Sequence, residues 1–441
     1  MTDLQHDLDV VYPLPAPEAS LTSAEQLAAA DTYNQSAWAI LYGALVNGFG
    51  VSPQTFQMAY PYAAWNWPTE QLGYVSPAQY DALSAIPAWS AIGKSSSTGT
   101  RFNDMYAAFL NVISPDTSDP ELRKRIDALY GDLVAAGNLQ QRTLAQAKAA
   151  YEADTSKDKP GFTQWLGTLD GHSWQAQLSS LGKAVDQAQA NYDAAVDEAK
   201  TPNLKQALSA LADRDYYAKL NDPNLSTMPP VPNWTTPTTA AKWADRAATG
   251  DVASGGISIS NSDAAYDFSK SWAGGSASVG NWFWQVQVAG SWQKIDVFES
   301  DASLTASVQF AGIEEILVQP APWYTGVSAL AKGPYKRGYS EFGEGGSTAV
   351  FGDKGFLPMI KTGMYVVYRP SFSISVKQAT FSAFEQQFSA ATGVRIGPFT
   401  FGAKGGSQQA GWTASQAGLN FSGKSDSTDP FIIGYTVNVL P

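Results

Sequence analysis

Apolar residues recur at helical spacing through the first half of the chain and at strand spacing through the second. Ser23 followed by Gln26 forms a capping box and predicts a helix running to Gly48, a glycine suited to end it. Ser52-Pro53 and Ser76-Pro77 each set an N-cap hydroxyl before a first-turn proline, behind a valine in both cases, so each predicts a helix start. Ser118-Asp119-Pro120-Glu121 opens the most regular helix, with Leu122, Ile126, Leu129, Leu133 and Ala136 on one stripe and a continuation to about Asp154. Leu178, Leu181, Val185, Ala188, Tyr192, Ala195 and Ala199 repeat that stripe in a second helix. Between them lie Pro160, Gly161, Gly167 and Gly171, so the pair predicts a long antiparallel hairpin. Thr201-Pro202 starts one more helix, and residues 20–220 read as almost wholly helical.

From Asn221 to Pro237 the chain carries Pro223, Pro229, Pro230, Pro232 and Pro237 with little apolar periodicity, the composition of a stiff linker, and a short helix is expected near 240–248. Beyond Gly255 the period falls to two. Trp282, Trp284, Val286 and Val288 alternate with Gln285 and Gln287, and Gly290-Ser291 turns this strand into a hairpin. Phe372, Ile374 and Val376 alternate with Ser371, Ser373, Ser375 and Lys377, a half-buried strand with a serine face. Phe381, Phe384 and Phe388 predict one short helix, and 431–440 a closing strand. The expected fold is α+β in two parts: an all-α domain over 1–220, a proline-rich linker with a short helix over 221–255, and a mainly-β sandwich or barrel-like domain with one short helix over 256–441.

Composition narrows the partners. Only 15% of residues are charged against 44% hydrophobic, which leaves much of the surface to uncharged polar side chains. The net charge is −12 and the densest basic group is only Arg123-Lys124-Arg125, so no basic stripe exists for nucleic acid. The chain has no cysteine, which removes disulfides, thiolate nucleophiles and cysteine-ligated metals. Met1–Val10 is acidic and lacks the pattern of a classical signal peptide, so the expected location is the cytoplasm, or outside the cell by another export route. The apolar run 37–46 is too short to span a bilayer.

Candidate chemistry is sparse. Gly418 to Ser425 matches the spacing of a phosphate-binding loop, but that chemistry needs a helix after the loop, and Asp426-Ser427-Thr428-Asp429-Pro430 cannot start one. Nucleotide binding is therefore not expected, and no other cofactor motif is present. Of two histidines, His6 lies near the start and His172 reads as a helix-start residue. Glu314-Glu315 could serve glycoside hydrolysis, with Asp296, Glu341 and Glu344 as further carboxylates, yet neighbours on a strand point to opposite faces. The aromatics are the strongest positive feature. Trp282 and Trp284 are placed in the core, whereas Trp292, Trp323 and Tyr324 lie in turns and loops and are the expected ligand-binding residues.

These features favour a non-catalytic recognition or assembly protein, with a β-rich part binding a protein or carbohydrate ligand and a helical part acting as scaffold or oligomerisation element. A membrane-active, pore-forming toxin-like protein is the first alternative, and a carboxylate-dependent glycoside hydrolase the second.

Overall fold

The computed structural model describes residues 32–67, 73–94, 100–114, 119–155, 160–221, 228–272, 283–299, 301–402, 411–425 and 427–441. Its longer helices are α1 (Thr32–Phe49), α2 (Pro77–Ser84), α3 (Phe102–Val112), α4 (Pro120–Ala153), α5 (His172–Ala199), α6 (Pro202–Ala212), α7 (Ala240–Thr249) and α8 (Gln378–Ser389). Its principal strands are β1 (Phe56–Ala64), β2 (Ile92–Lys94), β3 (Gly255–Ser260), β4 (Trp284–Val288), β5 (Ser291–Lys294), β6 (Thr305–Leu317), β7 (Met359–Ser375), β8 (Gly393–Ile396), β9 (Phe399–Gly402), β10 (Gly411–Ser415), β11 (Asn420–Lys424) and β12 (Phe431–Val439). The class is mixed α+β.

The chain makes two compact units, one of residues 112–208 with 332–336 and the other of the described residues on either side of these segments. In the smaller unit, Asp119 caps α4 by accepting from the backbone N–H groups of Glu121 and Leu122, ahead of a first-turn proline. Early α4 meets late α5, through an Arg125–Glu198 ion pair and rings of Tyr130 and Tyr192 at 5.7 Å. Next to the break, Tyr151, Phe162 and Trp165 cluster, and the Trp165 indole donates to Asp154 at 2.8 Å. The stripe residues Leu122, Ile126, Leu129 and Leu133 are only half-buried, because two helices alone cannot enclose a seam.

The larger unit is organised by β7, paired along one side with β6, which in turn pairs β3. On its other side β7 pairs β12 over 359–367 and β11 over 371–375; β10 extends β11, while β1 and then β2 extend β12. A second, four-stranded sheet runs β9-β8-β4-β5. Ala289 and Gly290, at φ of 50° and 82°, form the tight turn that joins β4 to β5. Inner-face residues Ile257, Val308, Phe372, Ile374 and Phe421 are buried against Trp38, Leu41 and Leu45 of α1, Phe381, Phe384 and Phe388 of α8, and Trp284, Phe399 and Phe401 of the second sheet. Phe372 and Phe401 rings lie 4.6 Å apart, and Phe421 sits 4.8 Å from Phe381 and 4.7 Å from Phe388.

Three expectations are corrected. The first half is not all-α: Val51-Ser52-Pro53 opens a turn, in which Ser52 Oγ accepts from Gln54 N, and the chain then enters β1 in the central sheet. Pro61 explains the reversal, since it cannot sit inside a helix but fits the register break that β1 makes between Met58 and Ala63. The proline-rich stretch is not a free linker from residue 228 onward. Val231–Pro232 pairs with Tyr217–Ala218, Trp234–Thr235 pairs with 319–320, and Trp234 is buried. The seams between compact units accordingly fall near 112 and 208, not at 221–255. The capping box at Ser23, Trp282 and residues 222–227 lie outside the described residues.

Candidate functional site: a hydroxyl-bearing sheet face

Alternation along β3, β6, β7 and β11 sends apolar side chains inward and places short polar ones on the outer face, which β10 extends with Thr413 and Ser415. In register, Ser260, Thr305, Ser375, Asn420 and Ser415 form one row across β3, β6, β7, β11 and β10. Ser258, Ser307, Ser373, Ser422 and Thr413 form the next. Neither row contains a charge. Ser258, Thr305, Ser375, Thr413 and Ser415 are exposed and the others half-buried. Sheet geometry spaces these groups at about 4.8 Å between strands and roughly 6.7 Å along them, a two-dimensional lattice of donors and acceptors. Cross-strand bonds hold part of it in place: Asn420 Nδ2 donates to Ser373 Oγ at 3.1 Å, and Thr413 and Ser422 hydroxyls share a bond of 3.1 Å.

A third row, Gly256, Gln309, Ser371 and Lys424, ends the face. Gln309 lies over Gly256, where a Cβ would come within 2.3 Å of the amide oxygen, so a larger residue at 256 would push this side chain aside. Beyond the row the alternation slips. Phe372, Ile374 and Val376 belong to the core, but so do Val367 and, in part, Tyr365; between them Arg369 adopts φ 43°, in the left-handed region. The Arg369 guanidinium stacks on Tyr368 at 5.0 Å, and Ser425 N donates to the Pro370 carbonyl at 2.8 Å. Arg369, Ser371, Lys424 and Ser425 line a surface depression of about 370 Å³.

Lys424 and Ser425 close the phosphate-loop spacing, and their setting is wrong for that motif. Leu419, at φ 47°, lies in the turn from β10 to β11, Lys424 ends β11, and the described residues that follow lead into β12, not a helix. No family model, curated protein or solved structure matches this chain. Its chemistry is therefore read from its own geometry.

The aromatic residues expected to bind ligand do not form one site. Trp323 is 0% exposed, donating from its indole to the Asn233 carbonyl at 2.7 Å among Phe102, Tyr106 and Trp234, which overturns its expected exposure. Its loop folds inward because the indole finds an acceptor there. Tyr324 is half-buried against Phe102 and Tyr106 at 5.2 and 4.9 Å, and burial raises its phenol above the ordinary range. Trp292 is half-buried on the second sheet, its ring covered by the Arg395 guanidinium at 4.2 Å, which Gln285 also holds.

The adjacent carboxylates separate as strand geometry requires. Glu314 accepts from the Trp243 indole at 2.6 Å and from Arg246, whereas Glu315 accepts from Tyr365 and Thr436. Asp296's side chain lies outside those described, and Glu344 accepts from the Phe342 backbone. No cluster of metal-ligating residues occurs among the described residues, and none of their helices is long and apolar enough to cross a membrane.

The hydroxyl rows are the feature that sequence reading reached only in part. The serine alternation of β7 is visible in one strand, and 257–260, 305–309, 413–415 and 420–424 carry similar alternation. That these segments are neighbours follows from sheet order, which no local pattern states.

Proposed function

We propose that this is a non-catalytic recognition and assembly protein whose β-rich part, a sandwich, binds a carbohydrate on the hydroxyl face. Its helical unit, a long antiparallel hairpin, serves as the oligomerisation element. The observation that carries the reading is the pair of charge-free hydroxyl rows on a rigid sheet. Each hydroxyl can donate and accept, has a single side-chain torsion to fix, and costs far less to desolvate than a charge, so the lattice suits a ligand that repeats hydroxyl groups. Half-buried seam leucines, with Tyr130 and Leu139 exposed at 56% and 52%, support assembly through the helices with a second copy.

The test is affinity electrophoresis through gels containing soluble polysaccharides, using the wild type and a Ser373→Ala/Ser422→Ala variant that removes two hydroxyls with little change of side-chain volume. Retardation of the wild type by at least one polysaccharide, lost in a variant of unchanged circular dichroism, is the expected result. Equal mobility in every gel overturns the reading.

Alternation of apolar and hydroxyl side chains is also the pattern of a membrane-spanning β-hairpin, which favours a pore-forming protein as the second reading. Strand length favours the recognition reading. Strands β10 and β11 have 5 residues each, about half the 9–11 that a spanning strand needs, and β7 loses its alternation at Arg369. Dye release from liposomes by the wild type would reverse this ranking.

A further inference from the structure

We propose that the depression beside the third row binds the anionic substituent, a carboxylate or sulfate, of an acidic glycan whose sugar rings lie on the hydroxyl rows; this rests on the carbohydrate reading above. Two cationic side chains meet here, in a chain of net charge −12 whose two hydroxyl rows carry no charge. Ser371 and Lys424 are directly paired across β7 and β11, and Arg369 lies two residues along β7 on the same depression. A guanidinium supplies a planar fork that matches a carboxylate or sulfate, the ammonium adds a point charge, and the Ser371 and Ser425 hydroxyls add two more donors. Arg369 is held in a left-handed conformation that glycine would adopt at lower cost, so the chain keeps a cationic side chain where backbone geometry alone favours its loss. Ser371, which lines the depression, is followed on the same face of β7 by Ser373 and Ser375, so one ligand can place its charge in the notch and its hydroxyls along the rows.

Dextran and dextran sulfate share a backbone and differ in charge, which makes them the probes. Isothermal titration should show the wild type binding dextran sulfate at least tenfold more tightly than dextran at low ionic strength, with the difference shrinking as salt rises. The Arg369→Gly/Lys424→Gln variant should lose roughly tenfold affinity per cation for dextran sulfate and keep its affinity for dextran. An Arg369→Lys/Lys424→Arg variant, which preserves charge, should recover part of the loss and so separates an effect on binding from one on folding. Equal affinity for the two polymers, or a dextran sulfate affinity that the neutralised variant retains, overturns the anion site and leaves the carbohydrate reading standing. No binding of dextran sulfate by the wild type overturns the anion site, and the carbohydrate reading then stands or falls by the gels.

Discussion

Replacing Lys361 by methionine should change the sign of its effect on stability between neutral and alkaline pH. Lys361 lies on β7 in the centre of the sheet and is 4% exposed; its Nζ donates to the Ala82 carbonyl at 2.6 Å and sits 4.3 Å above the Tyr435 ring. Burial lowers this ammonium from the ordinary 10.5 to about 7. Such a depression in a base is destabilising: in the unfolded chain Lys361 takes up a proton that the folded chain resists. The cost is complete below pH 7, on the order of 5 kcal/mol, and fades as pH rises from about 7 to 10.5, where both states become neutral. Lys361→Met removes the buried charge with little change of shape but leaves the Ala82 carbonyl without its donor, a loss of about 1–3 kcal/mol. At pH 6.5 the variant should therefore be the more stable protein by about 2–4 kcal/mol. By pH 10 most of that advantage is gone and the orphaned carbonyl makes it the less stable one. Urea denaturation followed by tryptophan fluorescence at the two pH values measures the difference, and groups common to both proteins cancel. A difference that does not change with pH would show that Lys361 titrates normally and would refute the reasoning.

Two further changes probe one unit each. Phe421→Ala empties the space between Phe381, Phe384 and Phe388 and should cost about 3–5 kcal/mol in urea denaturation, with the helical signal of the smaller unit little affected. Gly171→Ala would place a Cβ 2.1 Å from the Trp165 carbonyl oxygen, so the Tyr151–Phe162–Trp165 cluster must open, and proteolysis between α4 and α5 should accelerate several-fold while the β-rich unit keeps its resistance.

Much of the local structure was legible in the sequence because its signals are local. Asp119 and Pro120 start α4 and Ser76 caps α2, where its side chain accepts from Gln79 N at 3.1 Å. The phenylalanines at 381, 384 and 388 mark α8 by spacing alone. Ser52-Pro53 misled because the same two residues also favour a turn, and the aromatic run that follows, with Pro61 within it, pairs with β12, some 370–380 residues further on. The prolines of 228–237 read as a linker, yet proline suits short edge pairings as well, and the burial of Trp234 depends on Phe102 and Trp323, far away in sequence. Trp323 was misjudged for the same reason: its turn setting is local, and the Asn233 carbonyl that draws it inward is not. The candidate site was legible one strand at a time. What was missing was the order that sets β3, β6, β7, β11 and β10 side by side.

That order has its pivot at Arg369. On one side of it the outward positions of β7 are Ser371, Ser373 and Ser375, half-buried to exposed on the hydroxyl face; on the other the slip turns Tyr368 away from the core side, toward Trp243 of α7, with ring centres 6.5 Å apart. On β6 the opposite position slips as well, since Val308 and Phe310 belong to the core and so, in part, does Ile313, while Gly312 is packed against Ala247. One pair of long strands thereby serves a covered surface at one end and the hydroxyl face at the other. If the left-handed φ at Arg369 is what permits the slip, glycine should preserve it. Arg369→Gly regains about 1 kcal/mol of strain, loses a similar amount of chain entropy, and should leave stability within about 1 kcal/mol of the wild type. Proline is confined to φ near −65° and cannot take 43°. Arg369→Pro must therefore move either Phe372 and Ile374 or Val367 out of the core, and each buried side chain displaced costs about 1.5–3 kcal/mol. Thermal and urea denaturation of the two variants should differ by at least about 3 kcal/mol. Equal loss in both would place the origin of the slip elsewhere in the sheet, and equal tolerance would show that β7 reaches the hydroxyl face without it.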